Sequence, residues 1–342
     1  MKHMSTQSKN RATAMTSSEA VRLLHDIFGL DGSADRLPSE VDDTFRIAAA
    51  DGKRYTLKVA AVNERGDVLG FQTEALRHLE RGVPQLPVPR VRPARDGAAM
   101  VEVLAGGQAR YVRLLSWLDG APMHASAGSP AQAGALGRAL GVLDRGLVDY
   151  RPAVPDFELL WDITHSERVA GWTEAIADPD LRALTDRAFA EARLSPALEA
   201  RLPRQVIHND INPHNVIVDG DDADRIAGII DFGDLVEATR INDLAIALSY
   251  QVGHEDGLGH AAAMIAGYRA EVTLTPDECI ALRPRLLARL AMTTAITTRR
   301  AADDPDHASY ILRNRPASIA GLKRLSGLSP QGWATILEGK LP

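Results

Sequence analysis

Two short segments rich in oxygen-bearing side chains constrain the fold of this sequence more than any other feature. The first, HNDINPHN at residues 208–215, places the carboxylate of Asp210 five positions before the carboxamide of Asn215. The second, IIDFGD at residues 229–234, adds a further carboxylate, Asp231, after a strand-like apolar run. Three such groups in this order suit a site that holds a hard cation, a triphosphate and a hydroxyl nucleophile together, so the pattern predicts phosphoryl transfer.

Length and composition argue against several other classes of protein. At 342 residues the chain is long for one compact domain and usual for two lobes, and its 45% hydrophobic and 25% charged residues are typical of a soluble globular protein. A net charge of -6 without a dense basic run argues against a nucleic-acid partner. The single cysteine fits a reducing compartment, and no apolar run could cross a bilayer. We therefore predict a cytoplasmic protein without a membrane partner; the sequence leaves the oligomeric state open.

Hydrophobic patterning in the N-terminal third predicts a small antiparallel sheet with one helix. Strict alternation around Lys58 places this lysine on the face opposite its apolar neighbours. The helix carries apolar residues at positions 71, 75, 76 and 79 and ends near Gly82. Four strands are predicted, two on each side of this helix: residues 44–48, 55–59, 100–104 and 111–115. Residues 1–18 are polar and are predicted to be a flexible tail, which leaves residues 19–116 as the N-terminal lobe.

The rest of the chain, residues 117–342, is predicted to be a mostly helical lobe. From about residue 130 leucines recur at helical spacing, as at positions 136, 140, 143 and 147. Three further segments have helical patterning: residues 156–200, 235–270 and 276–302. Residues 216–218 and 226–230 are predicted to form a hairpin. The first oxygen-rich segment leads into this hairpin, and the second lies at its end. The fold class is therefore predicted to be α+β.

Each oxygen-bearing residue has a chemical role and a plainer alternative. Asp210 is the candidate catalytic base, because a loop carboxylate can align an attacking hydroxyl and accept its proton; alone, it would more simply stabilise a turn. Asn215 and Asp231 are the candidate Mg²⁺ ligands, since a few protein oxygens suffice beside water and phosphate; alone, they would be a turn residue and a strand-end cap. His208 is predicted to brace the loop through backbone hydrogen bonds rather than to react, because Asp210 already serves as base.

Binding of the nucleotide phosphates is predicted to depend on the N-terminal lobe. Lys58 is expected to reach the phosphates, held in place by Glu74 on the following helix; a solvated lysine and a surface glutamate are the alternatives. Residues 38–44 are the candidate phosphate cover, with the hydroxyl groups of Ser39 and Thr44 as ligands, although an acidic loop is unusual there. No Gly-rich P-loop sequence is present.

These residues resemble the aminoglycoside phosphotransferase and choline kinase superfamily of small-molecule kinases. Its usual loop is His-Gly-Asp followed after four residues by Asn, and this chain has Asn209 where glycine is usual. The extended segment at residues 229–235 and the DLAIA sequence at 243–247 are most similar to the hydroxylysine kinase-like branch. The resemblance implies a two-lobed protein-kinase-like fold that uses Mg²⁺ as its metal cofactor and ATP or GTP as its phosphoryl donor. It also implies transfer of the γ-phosphate to a hydroxyl group of a small amine or hydroxy amino acid.

The sequence does not identify the molecule that accepts the phosphoryl group. The acidic residues Asp234, Glu237 and Asp243 follow Asp231 closely and would favour an amine if they face the site. A surface position for Glu237 and a helix cap for Asp243 are at least equally good explanations. Arg240 is a candidate ligand for a substrate carboxylate. An antibiotic phosphotransferase is the alternative enzyme, and a catalytically inactive nucleotide-binding regulator is the alternative of another class.

Overall fold

The computed structural model describes residues 15–39, 42–105 and 107–341, which form two compact units. The first unit contains the described residues up to Glu80 together with Val88–Leu118, and the second contains Arg81–Pro87 and the described residues from Asp119 onward. Among the described residues, no helix combines the length and the apolar character needed to cross a membrane.

The first unit is a six-stranded antiparallel sheet flanked by two helices. The strand order is β1-β2-β3-β6-β4, with β5 pairing on β6. The four strands predicted from sequence correspond to β2, β3, β5 and β6, and the turn after β5 includes Gly106, which lies outside the described residues. The elements are α1 (Ser17–Phe28), β1 (Gly32–Leu37), β2 (Asp43–Ala49), β3 (Arg54–Val59), α2 (Gly66–Gly82), β4 (Val91–Arg92), β5 (Val101–Ala105) and β6 (Gln108–Ser116).

Helix α1 begins at Ser17, inside the stretch predicted to be a tail; residues 1–14 of that stretch lie outside the described residues. The Thr16 hydroxyl accepts the Glu19 N–H, and the Glu19 carboxylate accepts the Thr16 N–H at 2.7 Å, which is a capping box. Leu24 and Phe28 of α1 are buried in the same core as Phe45 of β2. The helix is therefore part of the packed first unit from its first turn.

The second unit is mostly helical and includes two small antiparallel sheets. One sheet has the order β10-β9-β7 and the other pairs β11 with β8. The longest helix, α8, agrees with the segment predicted at residues 276–302. The elements are β7 (Ala121–Pro122), α3 (Pro130–Gly146), α4 (Pro179–Glu191), α5 (Pro196–Glu199), β8 (Arg204–Ile207), β9 (Val216–Val218), β10 (Ile226–Ile229), β11 (Val236–Thr239), α6 (Ile241–Ser249), α7 (Gly257–Arg269), α8 (Pro276–Asp303), α9 (Ala308–Ile311), α10 (Arg315–Ser326) and α11 (Pro330–Leu337).

Two of the predicted helical segments are wrong in part. Residues 236–239 form β11, whose backbone pairs with β8 in register from Val236 opposite Ile207 to Thr239 opposite Arg204. The β-branched residues at its two ends favour a strand. In the segment 156–200, only α4 and α5 are α-helical, while Ile163–Ala175 is 3₁₀-helical with a kink at His165. Pro179 and Pro196 each start a new helix at its first position, which divides the segment.

Helices α3 and α7 pack closely because two glycines line their crossing. A Cβ atom on Gly137 would lie 2.1 Å from the carbonyl oxygen of Met264, and one on Gly267 would lie 2.0 Å from the carbonyl oxygen of Gly134. Both distances are far below a van der Waals contact. The crossing therefore requires glycine at these two positions.

Candidate active site

The loop that carries Asp210 lies between β8 and β9 and is anchored from behind by Asp243. The backbone N–H groups of His208 and Asn209 donate to the two carboxylate oxygens of Asp243, at 2.7 and 2.6 Å. Asp243 lies in the first turn of α6 and is fully buried. Hydrogen bonds from two backbone amides to one buried carboxylate fix the start of the loop. Asp243 therefore holds the loop instead of facing an acceptor.

His208 makes the backbone contacts that a bracing residue requires. Its Nε2 lies 3.1 Å from the carbonyl oxygen of Ile230, and its Nδ1 accepts the N–H of Asp210 at 3.3 Å. The ring is fully buried, with its centroid 4.8 Å from that of Phe232. Burial lowers the pKa of His208 to about 4, so the imidazole is neutral near pH 7 and its Nε2 carries the proton.

The unusual Asn209 adopts the backbone conformation for which glycine is normally selected. Its φ is +66°, in the left-handed region, where asparagine is one of the few other residues that is tolerated. Asp231 has a φ of +65° in the second segment. The Asn209 side chain is fully buried. The substitution therefore preserves the course of the loop.

The carboxylate of Asp210 is held by three donors. Oδ2 accepts the Nδ2 groups of Asn212 at 2.8 Å and Asn215 at 2.7 Å, and Oδ1 accepts Nη2 of Arg289 at 3.2 Å. Burial raises the pKa of Asp210, and the charge of Arg289 opposes that rise. Sequence reasoning missed Asn212, which its place in the motif could have indicated. It also missed Arg289, which lies 79 residues away on α8 and belongs to no motif.

Asn215 and Asp231 present oxygen atoms suitable for a divalent cation. Because the Nδ2 of Asn215 donates to Asp210, its Oδ1 is left as the ligating atom. The Ile230 N–H donates to the Asn215 carbonyl at 2.9 Å, which joins the two segments immediately before Asp231. Asp231 is exposed. No group of three or more His, Cys, Asp or Glu side chains suited to a metal occurs in the described residues. One carboxylate and one amide nevertheless fit Mg²⁺, which retains water and phosphate ligands.

In the first unit, Lys58 lies on β3 as predicted, and Glu74 lies on the exposed side of α2. The Nζ of Lys58 is 3.9 Å from Asp42, while Glu74 forms an ion pair with Arg77 at 2.8 Å. The buried face of α2 carries Gln72, whose Oε1 accepts Nη1 of Arg113 at 3.2 Å. The structure therefore gives Glu74 a partner other than the predicted Lys58.

The predicted phosphate cover is described in part, because residues 40 and 41 lie outside the described residues. Ser39 is exposed, and Thr44 is buried on β2 directly opposite Lys58. Asp43 of this loop binds Arg36 and, at 2.8 Å, Arg110. Burial alone would raise the pKa of Asp43, but these two partners hold it below its usual value. One of the acidic groups that made the loop unusual is thus neutralised within the first unit.

The three candidate substrate residues lie in different environments. Asp234 is half-buried and lies within electrostatic range of Arg289. Glu237 is exposed on β11. Arg240 forms a bidentate ion pair with Glu278, at 2.8 and 3.0 Å, and Glu278 is fully buried. An arginine that neutralises a buried carboxylate is committed to it, so the expected role of Arg240 in binding a substrate carboxylate is not supported.

Substitutions of Glu74 and Lys58 test whether each residue acts on the nucleotide site. We expect Glu74→Gln to change kcat/KM less than about twofold, because an exposed i,i+3 ion pair contributes little. Lys58→Met should, in contrast, raise the KM for the nucleotide and lower kcat. Steady-state kinetics with varied nucleotide would measure both. A tenfold loss in Glu74→Gln would show that Glu74 acts on the nucleotide site despite its exposed position.

Comparisons with known proteins agree with this geometry. The sequence pattern of the phosphotransferase enzyme family matches residues 34–280. The chain is similar to hydroxylysine kinase of Mus musculus, 23% identical over 94% of this chain and 92% of that protein. It is 30% identical to homoserine kinase of Sinorhizobium medicae over 69% of this chain and 68% of that protein. The solved structure of a microcompartment-associated aminopropanol kinase, 21% identical, matches with a TM-score of 0.71 over 91% of this chain and 98% of that one. This likeness confirms the two-lobed, protein-kinase-like α+β fold.

Proposed function

Because this chain belongs to the phosphotransferase enzyme family, we propose that it transfers the γ-phosphate of a nucleoside triphosphate to the hydroxyl group of a small amine or hydroxy amino acid. The observation that carries the proposal is the carboxylate of Asp210, which is oriented by three donors and remains partly exposed, with 24% of its side chain accessible. The similar proteins are named as kinases of hydroxylysine, homoserine and aminopropanol, and each of these compounds carries an amine and a hydroxyl group.

Each residue has a defined task in the proposed reaction. Asp210 accepts the hydrogen bond of the acceptor hydroxyl, orients its oxygen and takes up its proton as the bond to phosphorus forms. Asn215 and Asp231 would hold Mg²⁺. When bound, Mg²⁺ neutralises charge on the phosphates of ATP or GTP. In the first unit, Lys58 is the proposed ligand of nucleotide phosphate, with the hydroxyls of Ser39 and Thr44 as further candidates. His208 remains neutral and keeps Asp210 in place through the loop backbone.

An acceptor that carries an amine would need a carboxylate beside the site. Arg289 compensates the charge of Asp210, and Arg240 is occupied by Glu278. Asp234, a half-buried carboxylate three residues after Asp231, is the proposed partner of a cationic amino group. The acidic turn at residues 219–224 is used internally, since Asp219 accepts the N–H groups of Asp221 and Asp222, and Asp224 accepts the Ser129 hydroxyl. These acids therefore give no specific support to a polycationic antibiotic as acceptor.

A substrate panel tests the proposal. Release of ADP or GDP would be measured with hydroxylysine, homoserine, ethanolamine and choline, each with ATP and with GTP in the presence of Mg²⁺. We expect turnover with at least one acceptor that carries both an amine and a hydroxyl. Turnover with none of them, in protein that binds nucleotide, would contradict the proposal and favour an inactive nucleotide-binding regulator. A cytoplasmic location remains part of the proposal.

Asp231 is predicted to determine the metal requirement. Asp231→Asn keeps the shape of the side chain and removes its charge, so we expect the Mg²⁺ concentration for half-maximal rate to rise at least about tenfold. Mg²⁺ titrations at saturating nucleotide would measure this shift. Asp222→Asn, in the exposed turn, is the control and should leave the titration unchanged. Superimposable curves for both variants and the wild type would remove Asp231 from the metal site.

A further inference from the structure

Arg289 has a more specific environment than a helix-packing residue needs. It lies on α8 and is 2% exposed. Its Nη2 donates to both Asp210 Oδ1 and the hydroxyl oxygen of Tyr250, each at 3.2 Å, and its Nη1 donates to the carbonyl oxygen of Trp161 at 3.2 Å. Its guanidinium carbon lies 4.9 Å from the Trp161 ring centroid. The guanidinium group is thus fixed from three sides and placed against one oxygen of the candidate base.

The hydrogen bonds to Asp210 leave one lone-pair position of its carboxylate for the hydroxyl group of the substrate. A carboxylate offers about four lone-pair positions, two on each oxygen. Asn212 and Asn215 occupy both positions on Oδ2, and Arg289 occupies one on Oδ1. The remaining position lies on Oδ1, beside the guanidinium group. A hydroxyl that binds Asp210 is therefore directed to the oxygen that Arg289 touches.

We propose that Arg289 is a positioning residue for this reaction: it fixes the rotation of the Asp210 carboxylate so that Oδ1 is presented to the acceptor hydroxyl. The inference rests on the proposed function. It assigns Arg289 an effect through Asp210, not a contact with substrate. Tyr250 and Trp161 extend the arrangement, since they hold the guanidinium group that holds the base. A base in the wrong orientation slows the chemical step, and so lowers kcat, more than it weakens binding of the substrate in the ground state.

The chain offers a matched control one helical turn earlier. Arg285 is also on α8, is 4% exposed and pairs with Glu199. We expect Arg289→Met to lower kcat about 100-fold, with the KM values of acceptor and nucleotide within about threefold of wild type. Arg285→Met loses a comparable buried ion pair and should retain wild-type kcat, so thermal unfolding of both variants separates lost stability from lost positioning. Equal kcat values in the two variants would overturn the inference.

Two further measurements keep the test decisive if Arg289→Met does not fold. Tyr250→Phe removes only the hydroxyl that shares Nη2, and we expect a severalfold lower kcat at unchanged KM; wild-type kcat would overturn the inference. In Arg289→Ala, millimolar guanidinium chloride should restore part of kcat, whereas ammonium chloride should not. Equal rescue by both salts, or none by either in folded protein, would also contradict it. If wild-type protein phosphorylates no acceptor in the panel, the proposed function fails and this inference fails with it.

Discussion

Replacing Asp210 with asparagine is expected to lower kcat by about 10²- to 10⁴-fold while nucleotide binding is nearly unchanged. The amide has the shape of the carboxylate but cannot accept the proton of the acceptor hydroxyl. Because burial already favours the neutral form of Asp210, a neutral side chain is tolerated at this position. The amide oxygen can still accept from Asn212 and Asn215, which places the NH₂ group, with its two N–H donors, against the Arg289 guanidinium group.

The experiment separates chemistry from binding. Single-turnover rates would report kcat effects, calorimetric titration would report the affinity for the nucleotide, and thermal unfolding would show that the variant is folded. Asn212→Ala is a useful comparison, because it removes one donor to Oδ2 and keeps the carboxylate, so its kcat should lie between wild type and Asp210→Asn. A kcat within tenfold of wild type in Asp210→Asn would exclude Asp210 as the base.

The sequence was most informative where chemistry and local periodicity coincide. The alternation around Lys58 predicted its strand and its face, and the spacing within residues 208–215 predicted the loop that carries Asp210. Helical phase could also have corrected the prediction for Glu74. The apolar residues of α2 define a buried face that includes Gln72 and leaves Glu74 outside. Likewise, Thr16 and Glu19 have the spacing of a capping box, so the start of α1 was readable from local sequence.

Other parts of the site could not be predicted, because they depend on tertiary contacts between distant residues. Arg289 meets Asp210 across 79 positions, and nothing near Arg289 distinguishes it from Arg285 on the same helix. Local patterning predicts helix at residues 236–239, because β11 is short and finds its partner, β8, 29 to 35 residues earlier. In each case the decisive energy comes from burial and pairing after folding rather than from local propensity.

Behind the catalytic loop, the carboxyl groups of Asp144 and Asp243 are both fully buried and interact electrostatically. The hydroxyl of Tyr268 donates to Asp144 Oδ2 at 2.5 Å. Burial and the charge of Asp243 raise the pKa of Asp144 well above its usual range, and burial raises the pKa of Asp243 to about 6. The amides of His208 and Asn209 favour the ionised form of Asp243, so a proton retained by these two carboxyl groups resides on Asp144.

Asp144→Asn is therefore expected to stabilise the protein, increasingly so as pH rises. Asparagine reproduces the protonated acid, since Nδ2 can donate to Asp243 and the amide oxygen can accept from Tyr268. In wild type the folded state retains a proton that the unfolded chain releases near pH 4, so stability falls as pH rises towards the folded pKa of Asp144. The variant lacks this loss, and its advantage should grow by up to about 1.4 kcal/mol per pH unit.

Urea unfolding at pH 5, 6, 7 and 8 measures this difference directly. The free energies of unfolding of wild type and Asp144→Asn should diverge over this range, with wild type losing stability relative to the variant as pH rises. Asp186→Asn, at an exposed position of α4, is the matched control and should follow wild type at every pH. Parallel curves for wild type and Asp144→Asn would mean that Asp144 is ionised in the folded state. In that case the assignment of the proton to Asp144 would be wrong.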